Sequence, residues 1–181
     1  MNLFEKYDAN KDAWTKLSSL NQKTTQNSLC NFSDRFIFKF GGETNQSTLS
    51  QIIERYDIAL NKWSLIQAQT DSNIVPSLAR MSLSIQISPS TLMIFGGYYE
   101  KDDKGTNQCF LLQVDESSVL IKNVNERSLP CCGGFSCGWG VVWEGRVIGL
   151  QNKEEGVRGS LDFGKRRKVI MFDGNDWKVS E

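Results

Sequence analysis

"FGGETNQSTLSQIIERYDIALNKW" occupies Phe40–Trp63, and its spacing decides how the whole chain is read. Gly41–Gly42 close an apolar run, Tyr56 stands 14 residues beyond Gly42, and Trp63 stands 7 beyond Tyr56. The same features return elsewhere. Tyr7 and Trp14 in "YDANKDAW" keep the seven-residue spacing, "IFGG" recurs at Ile94–Gly97, and "FDGNDW" spans Phe172–Trp177. Recurrence of this kind marks an internal repeat, so the period is sought first.

The apolar stretches are short, rich in β-branched and aromatic residues, and broken by polar turns, which predicts strands rather than helices. A half unit holds strands at Leu3–Tyr7 and Ala13–Leu17. The first full unit has Ser28–Phe32, Arg35–Phe40, Gln51–Tyr56 and Lys62–Ile66. The second has Arg80–Ile87, Thr91–Phe95, Gln108–Val114 and Val119–Val124. The third has Trp139–Trp143, Arg146–Gln151, Lys168–Phe172 and Asp176–Val179. Trp14 and Trp63 lie 49 residues apart, and Gly41 and Gly96 lie 55 apart. Asp8, Asp57, Asp115 and Asp173 each follow a third strand, where an aspartate can accept a hydrogen bond from the turn backbone ahead of it.

Four strands repeated at about 50 residues, with a glycine pair and spaced Tyr and Trp, resemble the kelch repeat. The resemblance implies that the glycine pair ends the second strand where a side chain would obstruct the next blade, and that the Tyr and Trp pack between adjacent sheets. Gly41, Gly42, Tyr56 and Trp63 match in full. Gly96 and Gly97 match, with Val114 and Leu120 standing near the aromatic places, and the last unit keeps Phe172 and Trp177 but reads "GLQN" at the pair. Tyr7 and Trp14 complete the set. The fold expected is all-β: a propeller segment of three and a half four-stranded antiparallel blades. Its divisions are 1–27 (two strands and a link), 28–79, 80–138 and 139–181.

Three and a half blades are fewer than the 4 to 8 that usually close a ring. Further blades, from this chain's own N-terminal side or from another chain, are therefore expected to complete it. The totals bound the setting. Twenty-one basic and 21 acidic residues give no net field for nucleic acid or anionic lipid. No apolar run approaches a membrane span, and the first 20 residues lack a signal-peptide core. Five cysteines without framework spacing predict reduced thiols in the cytoplasm. The absence of histidine removes the usual general base and the usual transition-metal ligand. Cys131, Cys132 and Cys137 lack zinc-knuckle spacing and read as small residues at a blade junction. No metal, cofactor or catalytic residue is expected.

The long segments all emerge on one face of such blades: 43–50, 98–107 and 152–167, with the links 18–27, 67–79 and 125–138. Long loops on a rigid scaffold are where binding residues usually sit. The candidate contacts are Glu43, Asn45, Gln46, Tyr98, Tyr99, Lys101, Asp102, Arg158, Arg166 and Arg167. Tyr98 or Tyr99 could equally pack on its own blade, and "GKRRKV" reads as a solvated loop rather than a nucleic-acid patch. The function expected is a non-catalytic protein-binding scaffold. The next readings are a structural subunit of a large, for example cytoskeletal, assembly, and an enzyme whose site lies in a missing N-terminal half.

Overall fold

The computed structural model describes residues 3–46, 48–70, 78–99, 105–115, 118–123, 140–151, 168–173 and 176–180. Among these residues every strand or helix assigned is a strand. β1 (Glu5–Asp8) and β2 (Ala13–Lys16) form a hairpin. Then follow β3 (Ser28–Phe32), β4 (Phe36–Phe40), β5 (Ile53–Asp57) and β6 (Lys62–Thr70), an antiparallel meander. A second meander is built from β7 (Leu83–Ser88), β8 (Thr91–Phe95), β9 (Cys109–Val114) and β10 (Ser118–Asn123). A third comprises β11 (Gly140–Trp143), β12 (Arg146–Gln151), β13 (Lys168–Phe172) and β14 (Trp177–Ser180). The first strands of the three meanders are neighbours, with β3 against β7 and β7 against β11.

Local chemistry explains the strands. In β3 the side chains of Ser28, Cys30 and Phe32 are buried while Leu29 and Asn31 are exposed, the two-residue alternation of a strand covered on one face. β4 is buried almost throughout, because both its faces are covered. Glu144 and Gly145 join β11 to β12 with both φ angles positive, 49° and 73°, as a tight hairpin whose twist matches its strands requires. All four expected aspartates work as read: Asp8, Asp57, Asp115 and Asp173 accept backbone N–H bonds from Asn10, Ala59, Ser118 and Asp176. Asp57 also takes Leu60 N–H and the Arg35 guanidinium. Burial acts to raise the Asp57 pKa, but these bonds together outweigh it and hold the carboxyl below the ordinary aspartate range.

Two expectations are corrected. The link read as 67–79 begins later, because Gln67–Thr70 continue β6 and pair in parallel with Ser118–Ile121 of β10. Only Ala68 among them is apolar, so the stretch gives no hydrophobic signal; the strand persists because its backbone groups find partners on the next meander. The two meanders thereby join edge to edge into one eight-stranded sheet. The second correction concerns the aromatic places. Tyr7 faces Trp14, Tyr56 faces Trp63 and Phe172 faces Trp177 across their hairpins, and the corresponding pair is Val114 with Val119, not Leu120. The latter two hairpins have turns shorter by two residues, which shifts the count.

Two apolar clusters hold neighbouring meanders face to face. One joins Cys30, Phe32, Phe36, Phe38, Phe40 and Ile53 to Leu92, Ile94, Phe110, Leu112, Val114 and Val119. The other joins Leu83, Met93, Phe95 and Cys109 to Val147, Ile170, Phe172 and Trp177. Each fully buried aromatic or aliphatic side chain there contributes about 1.5–3 kcal/mol.

Candidate functional site

The loop face is built from a pattern that occurs twice. Gly41 and Gly42 take φ of 57° and 95°, and Gly96 and Gly97 take 66° and 99°. A Cβ on Gly42 would stand 2.7 Å from Thr25 O, and one on Gly97 would stand 2.6 Å from Arg80 O. Only glycine permits both the backbone angle and this approach of the incoming link. The chain beyond each pair then bridges that link: Thr25 pairs with Glu43 and Glu43 with Leu49, just as Arg80 pairs with Tyr98 and Tyr98 with Gly105. Gln26 and Met81, the next residues along, share a positive φ of 55° and 56°.

Arg80 ties the two loops together. Its guanidinium is 3.6 Å from the Glu43 carboxylate, donates to Gln26 Oε1 at 2.9 Å and lies 5.8 Å from the centre of the Tyr98 ring. Met81 N–H donates to Gln26 O at 2.8 Å, so the backbone repeats the connection. A second clasp is fully buried. Lys39 Nζ sits 3.2 Å from Glu54 Oε1, and the carboxylate also accepts Asn21 N–H at 2.8 Å, Asn21 Nδ2 at 2.9 Å and Gln22 N–H at 3.2 Å. The link 18–27 is thereby pinned to β5 by charge-assisted bonds. Ser50 Oγ adds a bond to Gln22 Oε1.

The candidate contacts divide accordingly. Glu43 is half-buried in the pair with Arg80, and Tyr98 is half-buried beside it. Tyr99 turns to its own sheet, donating its hydroxyl to Gln108 Oε1, and burial pushes its pKa up to about 12. Asn45 and Gln46 stand exposed at a loop tip closed by Thr44 and Thr48, whose hydroxyls are 2.7 Å apart. Lys101, Asp102, Arg158, Arg166 and Arg167 lie outside the described residues, as do Cys131, Cys132 and Cys137. Among the described residues no three potential metal ligands come together. Arg80 was not among the expected residues, yet the 55-residue offset from Thr25 marks it.

The aromatic places differ in cover. Phe4 meets Tyr56 and Trp63 edge-on at 4.8 and 5.2 Å, and Phe95 lies 5.0 Å from Trp177. Tyr7 and Trp14, expected to pack between sheets, contact each other at 5.1 Å but remain 45% and 68% exposed.

Stacked four-stranded meanders with their first strands side by side define an all-β, propeller-like protein. No family model matches the chain, and no curated protein matches it. Solved structures do match; one is the structure of YjhT, with a TM-score of 0.67 over 99% of this chain at 14% identity. The chain spans about half of that protein, 51% of its length. Among the described residues no helix is long and apolar enough to cross a membrane.

Proposed function

We propose that the chain is a stretch of a kelch-type propeller that serves in the cytoplasm as a protein-binding scaffold, its partner held on the loop face. The observation that carries this reading is the Arg80 clasp, which joins loops of successive meanders through Glu43, Gln26 and Tyr98. Loops fixed in this way reach a partner without first losing conformational freedom, which favours affinity. Asn45 and Gln46 stand on that fixed base as adaptable hydrogen-bonding groups. The repeated glycine turns and the Tyr56–Trp63 pairing support the kelch assignment. The buried, uncrosslinked Cys30 thiol, its pKa raised to about 12 by burial, suits a reducing compartment.

The test places a photo-crosslinking residue at Gln46 on the loop face or at Asp34, exposed in the tight β3–β4 turn, in cells that make the protein. Capture of a discrete protein through Gln46 but not Asp34 is the expected result. Capture through Asp34 alone, or through neither, overturns the reading.

A further inference from the structure

The two end faces of the described structure are complementary. Inside the chain, one cross-strand row covers one aromatic face: Ile85, Met93 and Leu111 stand opposite one another across β7, β8 and β9, and they pack into the cluster that holds Phe172 and Trp177. The register repeats the row one meander later. Val141 stands opposite Ile148 and Ile148 opposite Met171, across β11, β12 and β13. Val141 is 54% exposed, and Ile148 and Met171 are only half-buried. At the other end Tyr7 and Trp14 form the same kind of pair as Phe172 and Trp177, also opposite each other, and they too lie open. One end thus presents the covering row and the other presents the face that such a row covers.

We infer that the Val141–Ile148–Met171 row of one copy of this chain docks on the Tyr7–Trp14 face of a second copy, repeating the contact between the second and third meanders. The inference rests on the propeller reading, since it supplies the sheets that complete the ring. Two further observations favour a second copy as the occupant. Both halves of the contact are present in a single sequence, and two copies make up the length of a protein of which one copy matches about half. Such a contact joins unlike surfaces, so it closes a ring only if the rotation between copies permits and otherwise adds copies in line. An aromatic pair left this open on a surface is a recognised mark of an interface.

The experiment is light scattering after gel filtration on the full chain, at tens of micromolar, with Trp14→Asp and Val141→Asp as single variants. Both positions are exposed, so neither substitution empties a core; far-UV circular dichroism confirms the fold. The wild-type chain is expected at twice its 20.5 kDa mass or a higher multiple, and each variant at the single mass. Mixing the two variants is expected to restore a species of twice the mass, because one intact contact remains between an unaltered Tyr7–Trp14 face and an unaltered Val141 row. A wild-type chain at the single mass overturns the inference and assigns the faces to sheets of other sequence. Association that survives either substitution, or variants that do not recombine, overturns it as well. The loop-face crosslink is read at Gln46, away from both ends, so failure here is separable from failure of the scaffold reading.

Discussion

Lys39 and Glu54 show how much a single position can be asked to carry. Both side chains are wholly buried, and the carboxylate accepts four hydrogen bonds, from the lysine and from the link at Asn21 and Gln22. Removing one charge of such a pair leaves the other buried and uncompensated, which costs more than the pair is worth. Glu54→Gln is expected to lower stability by about 3 kcal/mol in urea unfolding. Adding Lys39→Met to that variant is expected to recover part of the loss, since an apolar chain of similar volume then replaces the stranded ammonium. A further loss in the double variant would show that the lysine acts through its packing rather than its charge.

At the scale of the element, the β5–β6 hairpin depends on Asn61. Its φ is 49°, its side-chain oxygen accepts the Tyr56 hydroxyl at 2.8 Å, and the same oxygen accepts Ser18 N–H at 2.9 Å. Asp12 plays the corresponding part in β1–β2, with φ of 48° and the Tyr7 hydroxyl at 2.6 Å. Asn61→Ala loses the oxygen that accepts both bonds and places a less tolerant residue in the left-handed region, whereas Asn61→Gly loses only that acceptor. Thermal unfolding is expected to rank alanine below glycine, with the alanine variant down by about 2 kcal/mol. Equal losses would mean that the backbone angle costs nothing there. Elements of this kind are legible in the residues themselves. Hydrophobic alternation and turn chemistry are local, and they set nearly every strand within two or three residues. The run of β6 through Gln67–Thr70 is not legible in that way, because its stability comes from a partner strand about 50 residues away.

For the whole molecule, the sheets cohere through two clusters that meet different faces of the second meander. Trp177 lies at the centre of one, 5.0 Å from both Phe95 and Phe172. Trp177→Ala is expected to cost about 3–5 kcal/mol and to raise hydrogen exchange across β11–β14 while the Phe36–Phe40 amides keep their protection. Uniform loss of protection would show that the sheets unfold as one unit. The loop face follows the same logic. Its existence can be read from loop lengths, but the Arg80–Glu43 pairing joins residues of different repeats, and only their stacking brings the two side chains together.

Strands, their turns, the glycine positions and the period were determined by the sequence alone, because each depends on backbone angles and on neighbours a few residues away. Burial was decided by the tertiary structure. Tyr7–Trp14 and Tyr56–Trp63 have the same spacing and the same cross-strand pairing, yet the second pair is covered by Phe4 and the first stands in the open. A side chain's register belongs to its own strand, whereas its exposure belongs to whatever is stacked against it.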